Sequence, residues 1–158
     1  MLRKRLNLIS TSNNMFFDKK LLSKEEEARL IKAIELAEKQ TSGEIRVHIE
    51  KESKEEAVTA CVAKFHELNM QHTKQRNAIL FYLAYKSKSF AVWGDEGIHE
   101  IVKDEFWKSI TDRAIEHFKQ GDYIAGLEKS IELCGEQLKQ HFPLQHDDKD
   151  ELPNQISY

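Results

Sequence analysis

The sequence has few cysteines and no long hydrophobic run. Its two cysteines do not form a CxxC pair, so nothing predicts a zinc site built on thiolates. Each lies among apolar residues of a helical pattern, which favours buried, reduced thiols over a disulfide. The longest apolar run is far shorter than the roughly 20 residues that a membrane-spanning helix needs. The basic N-terminus has no apolar signal-peptide segment behind it, so we expect a cytoplasmic protein that does not insert into membranes.

The sequence also lacks a large net charge and the commonest catalytic motifs. A formal charge of -3 argues against nucleic acid or an anionic membrane as the main partner. No GxSxG, P-loop or GxGxxG pattern is present. His66 and His99 begin partial matches to the zinc motif HExxH, but Met70 and Lys103 stand where the second histidine is required. What remains is an ordinary globular composition in a chain long enough for one domain.

What the sequence does contain is a set of segments typical of a small α/β domain. Ser23 and Glu26 form a capping box that begins a first helix. Residues 44–50 alternate between apolar and polar, which predicts a half-buried strand that is either an edge strand or thinly covered. A second capping box at Ser53 predicts the next helix. The apolar runs 78–84 and 90–93 flank a short polar turn, which predicts a β-hairpin.

The rest of the chain predicts helices and a polar tail. Beyond Gly97 the apolar spacing is helical, and Asp122 is placed to cap a last helix that ends near Phe142. We divide the chain into a flexible segment 1–21, whose natural start is Met1 or Met15, a single domain 22–143 and an acidic tail 144–158. Ile156 and Tyr158 could contact the domain. The expected fold is a three-layer α/β/α sandwich with a small mixed sheet.

Four polar residues at the ends of the predicted strands form the candidate site. If the first two strands are parallel and the third antiparallel, Glu44, Arg76, Asn77 and Asp95 meet at one edge of the sheet. Glu44, Asn77 and Asp95 offer the oxygen ligands that Ca²⁺ or Mg²⁺ prefers, and Arg76 is suited to an oxyanion. A structural interpretation stays open, in which Asp95 caps a helix, Glu44 pairs with Arg76 and Asn77 satisfies a turn.

The order of several short motifs resembles the TPM domain family over about residues 22–142. The matching segments are Leu22-Ser23, Thr41-Ser42-Gly43-Glu44-Ile45, Arg76-Asn77-Ala78, Lys88-Ser89-Phe90-Ala91, Gly94-Asp95-Glu96-Gly97, and the segment from Phe118 to Leu127. We expect the chain to differ from longer family members in lacking a signal peptide, a transmembrane helix and a Gly-rich tail. It also has Ala78 where family members commonly have glycine.

The resemblance implies an α/β/α sandwich, a divalent metal, often calcium, at acidic loops near the strand ends, and the weak acid-phosphatase activity of plastid relatives. Two functions are therefore open. The first is a non-enzymatic interaction or assembly module that binds a divalent cation and an unidentified protein partner. The alternative is a weak metal-assisted phosphatase with Asp95 and Glu44 on the metal and Arg76 on the phosphate. No nucleophile or general acid has an assignable role, so the first is preferred.

Overall fold

The computed structural model describes residues 22–146 and 151–158, and the expectations for residues 1–21 and 147–150 lie outside the described residues. The elements are α1 (Lys24–Glu38), β1 (Glu44–Glu50), α2 (Ala57–Glu67), β2 (Ala78–Ala84), β3 (Ser89–Gly94), α3 (Glu96–His99), α4 (Asp104–Phe118) and α5 (Tyr123–His141). The sheet order is β1-β2-β3, with β1 and β2 parallel and β2 and β3 antiparallel. The predicted α/β architecture with a small mixed sheet is confirmed.

Helices cover both faces of the sheet because its central strand is apolar on both sides. The helices α1, α4 and α5 pack on the face that carries Ile45, Phe81 and Val92. The helix α2 packs on the opposite face, which carries Leu80 and Tyr82. Because successive residues of a strand point to opposite faces, the fully buried β2 supplies both cores from one run. In the part of the chain that the structure describes, each helix is too short or too polar to cross a bilayer.

One of the two predicted capping boxes is correct and the other is wrong. Ser23 caps α1 and receives the reciprocal bond from the Glu26 side chain, as predicted. Glu56, and not Ser53, caps α2, because its carboxylate accepts from the N–H of Thr59 at 3.3 Å. Ser53 is instead tied to the hairpin loop through two bonds with the hydroxyl of Ser87. That attachment keeps residues 53–56 out of the helix.

The strand β1 lies at the edge of the sheet, one of the two predicted alternatives. The prediction that it is half-buried is wrong, because its outer edge and its polar side chains are covered. Arg46 and His48 are only 8% and 1% exposed. Residues 151–158 run along β1 and pair with it in parallel at Ser157, and Ile156 is buried in the larger core. The alternating pattern of β1 could not predict that its polar face is covered, because the covering segment lies more than one hundred residues away in the sequence.

Candidate functional site

The predicted site residues meet where β1 and β2 begin and β3 ends. Glu44 lies opposite Ala78 in the parallel register, and the N–H of Glu44 donates to the carbonyl of Asn77 at 3.3 Å. From the other side of β2, the N–H of Asp95 donates to the carbonyl of Ala78 at 2.9 Å. Glu44 and Asp95 therefore flank Ala78, each one strand spacing of about 4.8 Å away. We call this edge, formed by Ser42, Glu44, Arg76, Asn77 and Asp95, the N-terminal rim.

Arg76 and Asp95 form the strongest charge pair of the N-terminal rim. The Nε and Nη2 atoms of Arg76 donate to the two carboxylate oxygens of Asp95 at 2.6 and 2.8 Å. Asp95 also accepts from the N–H of Glu96 at 2.8 Å and so caps α3. The hydrogen bond to Asp95 raises the pKa of Arg76 above its ordinary value. The helix-capping role that the sequence left open for Asp95 is therefore present.

The loop that carries Arg76 lies very close to the start of α3, where Gly97 has no side chain to prevent the approach. Arg76 has a φ of 51°, in the left-handed region that few residues other than glycine adopt. The N–H of Gly97 donates to the carbonyl of Arg76 at 2.9 Å. A Cβ atom on Gly97 would lie only 2.2 Å from the carbonyl oxygen of Gln75. Glycine at position 97 thus permits the approach that brings Arg76 onto Asp95.

Asn77 supplies a buried amide oxygen to the N-terminal rim. Its side chain is fully buried, and its Nδ2 donates to the hydroxyl of Ser42 at 3.3 Å. Its backbone N–H donates to the hydroxyl of Thr73. The Oδ1 atom receives no hydrogen bond from the described residues. Because an unsatisfied buried acceptor costs about 1–3 kcal/mol, this oxygen is a candidate ligand atom of the N-terminal rim.

Two residues of this region were missed by the sequence interpretation. Ser42 binds the amide of Asn77, and its position just before β1 could have indicated that it lies at the same edge. The sequence places Glu151 in the acidic tail 144–158. Its N–H instead donates to the Glu44 carboxylate at 2.7 Å, and its own carboxylate accepts from the N–H of Lys74 at 2.9 Å. Only the tertiary fold brings Glu151 to this edge.

The side chains of the N-terminal rim offer the oxygen ligands that a hard divalent cation prefers. Glu44 and Asp95 are almost fully buried carboxylates, and the Asn77 oxygen completes an all-oxygen set. Within residues 22–146 and 151–158, no three histidine, cysteine, aspartate or glutamate side chains cluster in a way that could hold a metal. A cation here would therefore depend on the amide of Asn77 and on backbone carbonyls as well as on the two carboxylates.

The comparisons with known proteins concern the whole domain. A family model described as the TPM domain matches residues 16–137. The NMR structure of the BA42 protein from the psychrophilic bacterium Bizionia argentinensis is 44% identical, with a TM-score of 0.84, over 88% of this chain and 96% of that one. The N-terminal domain of the cg2496 protein from Corynebacterium glutamicum shares the fold at 11% identity and a TM-score of 0.61, over 97% and 95% of the two chains. No curated protein matches the chain.

Proposed function

We propose that this chain, which belongs to the TPM domain family, is a non-enzymatic interaction module that binds a divalent cation, Ca²⁺ or Mg²⁺, at the N-terminal rim. The observation that carries the proposal is the buried Oδ1 atom of Asn77, which has no donor among the described residues. Asn77 directly precedes Ala78, and the backbones of Glu44 and Asp95 flank Ala78.

Electrostatics supports a cation at this edge. Two almost buried carboxylates lie there, and Arg76 is bonded to one of them through an exposed guanidinium. Buried carboxylates are stable when they are paired or bound to a metal. A divalent cation within reach of both carboxylates would be a second positive group at this edge, beside Arg76. Arg76 would then set the orientation of Asp95.

Binding is a better match to these residues than catalysis. The guanidinium that would hold a phosphate is engaged by Asp95. The hydroxyl of Ser42 accepts hydrogen bonds from Gln75 and Asn77, which orient it without activating it as a nucleophile. Burial raises the pKa of the thiols of Cys61 and Cys134, which keeps both in the unreactive form. These side chains favour an interaction role for the module.

A cation titration tests the proposal. Isotope-labelled protein is freed of metal with EDTA and titrated with Ca²⁺ and then with Mg²⁺, while the backbone amide signals are followed by NMR. We expect saturable shifts of Glu44, Asn77 and Asp95, which Asp95→Asn should abolish. Asp122→Asn is the matched control, because Asp122 also caps a helix but lies outside the N-terminal rim. Unchanged amides at Asn77 under saturating Ca²⁺ would rule out the site.

An activity assay tests the non-enzymatic part. Hydrolysis of p-nitrophenyl phosphate is measured with and without Mg²⁺ for the unmodified protein and for Asp95→Asn. We expect no turnover above the buffer rate in either. Turnover that depends on the metal and is lost in Asp95→Asn would establish the phosphatase instead.

A further inference from the structure

Residues 151–158 occupy the outer edge of β1 as an added strand. The N–H of Ile49 donates to the carbonyl of Ser157 at 2.9 Å, and the N–H of Ser157 donates to the carbonyl of Val47 at 3.0 Å. The side chain of Ile156 is 6% exposed and joins the larger core. We call the surface that holds this segment, formed by Arg46, Val47, His48 and Ile49, the β1-edge groove. It is a sheet edge already shown to accept an extended peptide.

His48 recognises the hydroxyl of Ser157 inside this groove. The Nε2 atom of His48 lies 3.1 Å from a carboxylate oxygen of Glu50, and its Nδ1 lies 2.7 Å from the Ser157 hydroxyl. A carboxylate can only accept, so Nε2 carries the proton in the neutral imidazole and Nδ1 accepts from the hydroxyl. The hydroxyl of Tyr82, whose ring stacks on His48, donates to the same Glu50 carboxylate. This network holds the imidazole in one orientation toward the bound segment.

The segment that fills the groove leaves the guanidinium of Arg46 with too few hydrogen-bond acceptors. The residue is 8% exposed, and burial lowers the pKa of its guanidinium. Its only hydrogen bond among the described residues is a long one, 3.5 Å from Nη2 to the carbonyl of Gln155, and its Nε has no acceptor. Gln155 lies at a bend and is exposed, and its backbone carbonyl is the group of this segment that reaches Arg46. A carboxylate presented beside that carbonyl would supply the missing acceptor.

We propose that the β1-edge groove is a docking site for an extended, acidic segment of a protein partner. The segment would present a carboxylate to Arg46, an apolar residue in the place of Ile156 and a hydroxyl to His48. The chain's own residues 151–158 meet the last two requirements but not the first, so they are a resident competitor that a better ligand displaces. This inference rests on the proposed role as an interaction module and identifies the chemistry of its partner.

The unsatisfied guanidinium of Arg46 supports an acidic ligand. Arg46 lies within the groove with an unsatisfied Nε atom, while Glu151 already places one carboxylate at its N-terminal end, on the N–H of Lys74. The resident segment makes only two backbone hydrogen bonds with β1. Because that segment is covalently attached, it competes at an effective concentration that reaches the millimolar range for short flexible tethers. A free peptide should therefore bind the intact chain weakly.

The test uses the full chain and labelled peptides in buffer with EDTA. In the Ile156→Asp variant the resident segment cannot bury its central side chain, so the groove should open. Two fluorescent peptides are compared by anisotropy, one with the sequence of residues 151–158 and one carrying Gln155→Glu. We expect both to bind the variant more tightly than the unmodified chain. The Gln155→Glu peptide should bind about fivefold more tightly than the other, because it adds a charge-assisted bond to Arg46.

Each outcome decides the proposal. Ile156→Ala provides a milder opening if Ile156→Asp does not fold, as judged by the dispersion of its amide signals. A folded variant that binds neither peptide, or that binds both equally, would overturn the inference. A variant that forms a dimer without peptide would assign the groove to exchange between copies of this chain and would also overturn it. Because EDTA is present throughout, failure here leaves the cation titration of the N-terminal rim as an independent test.

Discussion

The close approach of two backbone segments at Gly97 allows a sharp test of how the N-terminal rim is built. In Gly97→Ala, the new Cβ would lie 2.2 Å from the carbonyl oxygen of Gln75 and 2.7 Å from that of Arg76. Ordinary contacts begin at 3.4 Å, so the loop would have to retreat by about 1.2 Å. The contacting atoms are backbone, which no rotamer change can move. We expect the loop that carries Arg76 and Asn77 to shift.

The cost follows from three terms. Overpacking of a close contact costs about 1–3 kcal/mol. Loss of the bond from the N–H of Gly97 to the carbonyl of Arg76 adds about 1 kcal/mol. Alanine is better than glycine in a helix by about 1 kcal/mol, which offsets part of this, since position 97 lies in α3 and does not have a positive φ. The net destabilisation is about 1–3 kcal/mol, or a decrease in Tm of about 2–4 °C for each kcal/mol.

The control is Gly94→Ala, which should be destabilised as well but for a different reason. Its Cβ would meet the buried ring of Trp107 at 2.3 Å and would leave the loop of Gln75 and Arg76 alone. Thermal melts give the stability of both variants, and amide NMR reports on Asn77. We expect the Asn77 signal to move much further in Gly97→Ala than in Gly94→Ala. A Gly97→Ala protein with native stability and an unmoved Asn77 signal would refute this account of the loop.

Three further predictions concern a helix cap, the buried histidine and the thiols. Glu56→Ala should cost about 1 kcal/mol in urea unfolding and Ser53→Ala clearly less, and the reverse order would contradict the cap assignment. Burial lowers the pKa of His48, so the unfolded chain binds the proton more readily and stability should fall below about pH 6.5. Melts of His48→Gln should show a flatter pH dependence, and an unchanged slope would exclude this residue as its source. Burial also raises the pKa of Cys61 and Cys134, so a thiol reagent should label them only after unfolding; fast labelling of native protein would contradict their burial.

Local patterns predicted the sheet well because each strand is defined by its own residues. The run 78–84 is apolar throughout, and the turn after it is short and polar, so the hairpin could be assigned without any knowledge of the rest of the fold. The parallel pairing of β1 with β2 followed from the helix between them. The convergence of Glu44, Asn77 and Asp95 at one edge then followed from strand direction alone.

Contacts between residues that are far apart in the sequence could not be predicted in the same way. Ser53 and Glu56 both suit a helix N-terminus, and the choice between them depends on a contact with Ser87 in the hairpin loop. The composition around Glu151 predicts an acidic tail, and only Ile156 and Tyr158 in it are of a kind that predicts contact with the domain. The contacts of Glu151 at the N-terminal rim depend on the whole chain being folded. Composition reports only the average polarity of a segment, so it does not show which few residues of that segment contact the domain.

The pairing of Ser157 with β1 has a consequence for the order in which the chain folds. His48 and Ser157 are 109 positions apart, so their contact closes a very large loop and we expect it to form late. Until then, the backbone of β1 has unsatisfied groups along one side, which is the feature that lets partly folded chains associate strand to strand. Refolding yield at high protein concentration should therefore be most sensitive to changes at Ile156 and its neighbours.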